Sequence, residues 1–388
     1  MKRTLTDTLV ELGGRLKNFG DGDSFGGSCG GMSSFGEGDS FRGEGSFVDA
    51  VADSRGVDIA DVRRAARALA ADMLSRQTLS SWLDRYPALP VAVPRDVLVV
   101  MAGNIPFVGM HDLLCVLAAG HRAIVKPSSK DAGLMAWVVE QLRDISPEIP
   151  VSISAEDSSG LPTSTSGEDS PAPGAATGGG SPASSPLPRA VIAMGSDDAA
   201  RALGGRYADI PTLLRGHRSS PAVLSGGESD DELSALADDV LSYSGLGCRN
   251  VSLVLLPRGY DLDRLGRALS RYRGPVGRAW RNGFVQARAL LGMTGTPHLD
   301  CGTCLLVERG DFSSATGVLN YMFYDTSSEV ADWLAERDGE IQCVACAATD
   351  ELAHVAAHPR AVAIGRTQRP GPGDYPDGRD TMIFLTDL

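Results

Sequence analysis

Apolar residues recur at helical spacing at Leu5, Leu9, Leu12 and Leu16, which predicts a short amphipathic helix over residues 4–18 despite Gly13 and Gly14. The pattern then lapses into GDGDSFGGSCGGMSSFGEGDSFRGEGSF, where GDSF occurs at 22–25 and again at 38–41. This stretch is too poor in aliphatic side chains to offset its ordering entropy, so a disordered glycine-rich segment is expected. Helical periodicity resumes at Asp58 in DIADVRRAARALAADMLSRQTLSSWLDRY and stops at Pro87, Pro90 and Pro94.

Next, VLVVMAGNIPFVGMHDLLCVLAAGHRAIVKPSSKD reads as strand, loop, helix, Gly-His turn and strand. This is a βαβ unit and implies a parallel sheet. The helix AGLMAWVVEQLRDI follows, then a Ser/Pro-rich insertion over residues 155–188. RAVIAMGSDDAARALGGRY reads as strand, Gly-Ser turn and helix. Beyond Pro221, AVLSGG, VSLVLLP, TCLLVER, IQCVACAA and AVAIG read as strands. The helices DDELSALADDVLSY, DLDRLGRALSRY and TSSEVADWLAERDG are interspersed among them. The expected fold class is α/β, with residues 1–49 an N-terminal helix and flexible segment, 50–221 one α/β domain and 222–388 another.

A net charge of −13 argues against nucleic acid as the main partner. No apolar run is long enough to span a membrane, and the N-terminus MKRTLTDTLVEL lacks a signal-peptide core. Seven cysteines in a chain of 388 residues do not form a disulfide framework, so a cytoplasmic location is expected.

Two CxxC pairs, Cys301–Cys304 and Cys343–Cys346, raise the question of zinc. EIQCVACAA looks like a strand, where residues three apart point to opposite faces, so buried small side chains are the better reading and no metal is expected. His298, in the loop TGTPHLDCGT, is a candidate substrate contact. Neither common nucleotide fingerprint is present, although AGNIP and MGSDD place small residues where backbone N–H groups can meet phosphate or an oxyanion. In LSYSGLGCRNVS, Cys248 follows two flexible glycines and precedes Arg249. Local context leaves it open between a nucleophile, whose thiolate a positive neighbour favours, and a small buried residue at a corner.

Several blocks in order resemble the bacterial acyl-CoA reductases of the LuxC type, a family within the aldehyde dehydrogenase superfamily. They are WLDRYP (82–87), the long block 102–131, AMGSDDAAR (193–201), GHRSSPAVLSG (216–226), LADDVLSYSGLGCRNVS (236–252), PHLDCGTCLLV (297–307) and DYPDGRDTMIFL (374–385). The resemblance implies an aldehyde dehydrogenase-like fold with a Rossmann-like cofactor-binding domain and a catalytic domain. It also implies that Cys248 attacks a thioester carbonyl and leaves an acyl-enzyme. Asn104 then matches the asparagine of the oxyanion hole. Lys126 matches the lysine on the cofactor's adenosine ribose, with Ser128 and Ser129 in the same loop, and Gly195 and Ser196 match the turn beside the pyrophosphate.

Hydrolytic members of the superfamily activate water with a glutamate, whereas the corresponding stretch here, RGHRSSP (215–221), has no carboxylate. The resemblance therefore implies reduction of an acyl-CoA or acyl-carrier substrate to the aldehyde. Ser129 stands where NAD-preferring members often carry a glutamate, and with Lys130 beside it NADPH is expected over NADH. The alternatives are an acyl-phosphate reductase, an acyltransferase that passes the acyl group from Cys248 to a partner protein, and a metal-binding regulator built on the CxxC pairs. A homo-oligomer is expected.

Overall fold

The computed structural model describes residues 4–19, 58–128, 130, 133–154, 188–195, 204–313, 315–347 and 349–388. The glycine-rich stretch, nearly all of the 155–188 insertion, Ser129 and Ser196 lie outside the described residues.

Helix α1 (Leu5–Lys17) starts where the Thr4 side chain accepts a hydrogen bond from the Asp7 N–H, and it buries Leu9, Leu12 and Leu16 completely. The single helix expected after Asp58 is broken. Helix α2 (Ile59–Ala68) runs into a π-helical turn at Leu69–Met73, and α3 (Arg76–Leu83) starts afresh. Ser75 is the reason, because its side chain caps Thr78 N–H and so competes with continued helix.

The first sheet is wholly parallel and comprises β1 (Asp96–Val100), β2 (Arg122–Lys126), β3 (Val151–Ile153), β4 (Ala190–Met194) and β5 (Thr212–Arg215). Their order is β3-β2-β1-β4-β5, so the connections reverse direction between β1 and β4. That reversal opens a crevice at the carboxyl ends of these two strands. Helix α4 (Met110–Ala119) joins β1 to β2 with every residue buried, and α5 (Leu134–Ile145) joins β2 to β3. Gly120 ends α4 at φ +89°, a left-handed cap that glycine adopts without strain.

The second sheet takes its strands from β6 (Ser220–Val223), β7 (Val251–Pro257), β8 (Leu299–Asp300), β9 (Leu305–Glu308), β10 (Val318–Tyr324), β11 (Val344–Cys346) and β12 (Ala361–Ala363). The order is β12-β11-β6-β7-β10-β9-β8, parallel throughout except for the β8–β9 hairpin. Helices α6 (Asp230–Leu241), α7 (Leu262–Ser270), α8 (Arg278–Thr294), α9 (Ser327–Glu336) and α10 (Ala353–Ala356) connect them. Four of these elements escaped the sequence reading: the short β8 and α10, and the longer α8 and β10. Helix α8 buries only Trp280 and Leu291, too few to set up a periodic signal. Strand β10, VLNYMFY, carries Asn320 as its third residue, satisfied by donating to Asp311 O at 2.9 Å.

The first sheet ends at Arg215 and the second begins at Ser220. The C-terminus, although it follows the second sheet in sequence, packs with the first. Tyr375, Met382 and Leu385 join the core of the first sheet, and α11 (Thr381–Thr386) covers α4. His121 completes the seam: its Nε2 meets Leu385 O at 2.8 Å, and its Nδ1 accepts from the Arg95 N–H at 3.0 Å.

Candidate active site

Residues 242–250 form an irregular loop between α6 and β7. Tyr243 and Ser244 take φ values of 54° and 57°, and Gly245 follows at 65°. Two successive non-glycine residues in the left-handed region are costly and persist only where surrounding contacts impose them. The contacts are present here. Asn250 Nδ2 donates to Asp239 O, Val240 O and Ser242 O, and its Oδ1 accepts from Gly247 N–H at 2.9 Å. From α2, Asp61 accepts from Tyr243 N–H at 3.1 Å and Arg64 donates to Ser242 Oγ at 2.8 Å. One side-chain amide and two residues of α2 thus fix the approach to Cys248.

Cys248 is half-buried at the end of this loop. Burial pushes its thiol up to about 11; Arg249 opposes that rise, while Cys343 and Asp377 add to it. The resting sulfur is therefore a protonated thiol rather than a standing thiolate. Ser220 Oγ donates to Cys248 O at 2.9 Å and lies 3.3 Å from Cys343 Sγ. Asn104, in the loop after β1, donates through Nδ2 to Leu246 O at 2.7 Å, two residues before the cysteine.

A cavity of about 130 Å³ opens beside the sulfur, and its walls include Leu69, Ile105, Phe107, Met194, Arg249 and Gln342. Met194 is the last residue of β4, so the cavity joins Cys248 to the crevice at the β1–β4 reversal. Around that crevice, Gly103 is pressed so close to the loop after β2 that a Cβ would lie 2.6 Å from Ser128 Oγ. Ser128 Oγ in turn accepts from Lys130 N–H at 3.2 Å. Lys126, buried at the end of β2, and Gly195, whose N–H donates to Arg215 O at 3.4 Å, complete the rim.

Asn104 therefore reaches the Cys248 loop, Ser128 packs against neighbouring Gly103, and Lys126 and Gly195 stand at the ends of the adjacent strands β2 and β4, whereas the Ser129 and Ser196 expectations fall outside the described residues. His298 does not join them. It is exposed next to β8, the edge strand of the second sheet, with Nδ1 2.8 Å from Thr296 O.

Some neighbours of Cys248 gave no sequence signal. Gln342 lines the cavity, and its Oε1 accepts from Asp377 N–H at 3.2 Å. Asp377 has φ 59°, is nearly buried, and faces Arg218 at 3.9 Å. Burial raises its carboxyl value, against the pull of Arg215, Arg218 and Arg379. It lies more than a hundred residues beyond Cys248 in the chain, so only the return of the C-terminus brings it near.

The stretch 215–221 does run beside the nucleophile. Ser220 reaches the Cys248 carbonyl, and Arg215 turns away to pair with buried Asp112 at 2.8 Å. Arg215 also donates to Pro376 O and Thr381 Oγ1, both at 2.7 Å. Among the described residues, no cluster of three or more His, Cys, Asp or Glu side chains is arranged to hold a metal ion.

This arrangement of two sheets has solved counterparts. An NAD-dependent aldehyde dehydrogenase from Sinorhizobium meliloti superposes with a TM-score of 0.59 at 16% identity, covering 92% of this chain and 72% of that one. The fold is that of the aldehyde dehydrogenases. Aldehyde dehydrogenase 21 from Physcomitrella patens, solved with succinate, matches with a TM-score of 0.64 at 12% identity over 98% of this chain and 82% of that one. The indole-3-acetaldehyde dehydrogenase of P. syringae, solved with NAD+ and IAA, gives 0.58 at 14% identity over 93% and 75%. No protein-family model matches the chain, and no curated protein matches it either. Among the described residues, no helix is long and apolar enough to cross a membrane.

Proposed function

We propose that this protein is an NADPH-dependent acyl-CoA reductase, which forms an acyl-enzyme on Cys248 and releases the acyl group as an aldehyde. The observation that carries the reading is the identity of the group beside the nucleophile. The 215–221 stretch offers Ser220 Oγ at 2.9 Å from Cys248 O, and it contributes no carboxylate to activate water. An acyl-thioester there outlasts hydrolysis and waits for reduction.

The chain's own groups suit the steps. Once deprotonated, the Cys248 sulfur attacks the thioester carbonyl, the C–S bond to CoA breaks, and CoA leaves with the electron pair and gains a proton. The carbonyl oxygen gathers negative charge next to Asn104, whose amide has a second N–H besides the one given to Leu246 O. The apolar walls of the cavity suit an acyl chain and keep water away from the thioester. NADPH, when bound, supplies the hydride. Gly103, Ser128, Lys126 and Gly195 at the β1–β4 crevice would hold it, with Gly103 letting its loop close against Ser128. The preference for NADPH rests on Lys130, which is exposed at that rim, and on the serine at position 129.

A second reading has one observation behind it. Asp377 is a nearly buried carboxyl close enough to raise the Cys248 thiol, and a water held between them would favour oxidation of aldehydes to free acids.

The two separate in one experiment. Protein mixed with an acyl-CoA in the absence of cofactor is expected to release about one equivalent of CoA per active site, and added NADPH then yields aldehyde. Cys248→Ala releases none. Free acid instead of aldehyde refutes the reductase and favours the Asp377 reading. Acyl transfer to a second protein without NADPH consumption favours an acyltransferase. Turnover of acyl phosphate but not acyl-CoA favours an acyl-phosphate reductase. Equal or better kcat/KM with NADH removes the cofactor preference.

A further inference from the structure

The Cys301–Cys304 pair takes no part in the chemistry above, and its geometry differs from that of Cys343–Cys346. Cys343 sits against Ser220 while Cys346 packs in a separate core cluster. Cys301 and Cys304 instead face each other across the end of the β8–β9 hairpin. The ladder pairs Leu299 with Leu306 and Asp300 with Leu305, and Cys301 N–H donates to Cys304 O at 3.0 Å. Gly302, at φ +76°, makes this two-residue turn feasible. Directly opposed residues in a hydrogen-bonded antiparallel pair have Cα atoms about 5.5 Å apart, inside the roughly 4.4–6.8 Å range that a disulfide spans.

The two thiols are coupled electrostatically, Cys304 holding Cys301 below the ordinary thiol value while Cys301 and burial push Cys304 well above it. The Cys301 sulfur lies 3.8 Å from Leu299 O. Both cysteines are buried, Cys301 slightly less completely at 8% exposure against 0% for Cys304. Gly266 on α7 leaves room for the Cys301 sulfur, which would sit only 3.3 Å from a Cβ there.

The same turn is wired to the nucleophile loop. Trp280 Nε1 donates to Thr303 O, between the two cysteines, at 2.7 Å. The Trp280 ring lies flush on Gly245, where a Cβ would be 2.4 Å from the ring. Gly245 is the last of the left-handed residues and stands three positions before Cys248. One indole thus bridges the hairpin turn and the strained approach to the nucleophile.

We propose that Cys301 and Cys304 are a redox-active dithiol, which a peroxide closes to a disulfide, and that Trp280 carries the change to the loop bearing Cys248. In the reaction the Cys301 thiolate attacks a peroxide oxygen, the O–O bond breaks and one water departs, leaving a sulfenic acid. The Cys304 thiol then attacks that sulfur, the S–S bond forms and a second water leaves. Two thiols lose two electrons, and hydrogen peroxide gains them as two waters.

The test uses the full chain carrying Cys248→Ser, so that peroxide cannot act at that sulfur. After hydrogen peroxide treatment and digestion after arginine, the peptide spanning residues 289–309, compared at the same Met293 oxidation state, is expected to be about 2 Da lighter, and dithiothreitol reverses that loss. With Cys304→Ser added, the 2 Da loss disappears and Cys301 instead traps a sulfenic-acid reagent. Oxidation of the parent chain is also expected to shift tryptophan emission, and Trp280→Phe abolishes that shift. Full alkylation of both cysteines by iodoacetamide after peroxide treatment overturns the dithiol. An emission shift that survives Trp280→Phe overturns the link to the nucleophile loop. Neither readout involves substrate turnover, so the outcome stands apart from the acyl-CoA reading.

Discussion

The protonation state of Cys248 gives the sharpest test of the site's electrostatics. With the thiol held near 11, about one sulfur in a thousand is thiolate at pH 8, against roughly a quarter for a free cysteine near 8.5. Alkylation proceeds through the thiolate, so Cys248 in the resting protein is expected to react with iodoacetamide about 200-fold more slowly than free cysteine at pH 8. Its rate is expected to climb about tenfold per pH unit from 7 to 10. Asp377→Asn removes one of the charges that disfavour the thiolate while keeping the backbone N–H bond to Gln342. Burial is the largest cause and remains, so the variant recovers only part of the deficit. A single nearby charge worth about 1–2 kcal/mol at an effective dielectric near 20 sets the gain at about 5- to 30-fold at pH 8. The tryptic peptide 219–249 contains Cys248 and no other cysteine, so mass spectrometry reads its labelling alone. A rate that levels off below pH 9, or an Asp377→Asn variant that labels no faster, would refute the reasoning.

Three further predictions concern the surroundings of the site. Asn104→Ala is expected to lower acyl-CoA turnover by about 100- to 1000-fold, as loss of an oxyanion donor does, with Cys248 labelling changed little. Arg215→Met strands the buried Asp112 carboxylate, so urea or thermal unfolding should report a loss of about 3–5 kcal/mol, and adding Asp112→Leu should recover most of it. Burial resists charging of Asp112, but Arg215 prevails and holds it at about 2. That pair's stability is therefore present above the ordinary value of 3.8 and is lost as pH falls toward 2. Asp61 runs the other way, with burial raising it to about 7 against the pull of Arg64, so ionising it costs stability as pH rises from about 4 to 7. Asp61→Asn keeps an acceptor for Tyr243 N–H, and its melting temperature relative to the parent is expected to improve between pH 5 and pH 8.

The sequence by itself determined the parts whose signal is local. Leu9, Leu12 and Leu16 marked α1, the apolar runs around 97–126 marked a βαβ unit, and the glycines before Cys248 marked a flexible approach. Helix α8 stayed hidden because its outer face is exposed, with Val285, Leu290 and Met293 facing solvent, so burial never wrote a period into it. Tertiary structure alone decided what surrounds the nucleophile. Ser220, Gln342 and Asp377 are far apart in the chain, and they meet Cys248 because β6 pairs with both β7 and β11 while the C-terminus returns to the first sheet. The strand argument that separates Cys343 from Cys346 holds in space, yet Cys301 and Cys304, at the same spacing, meet across a hairpin turn. Spacing reports a side chain's direction only once the backbone conformation is known, and long-range packing sets that conformation.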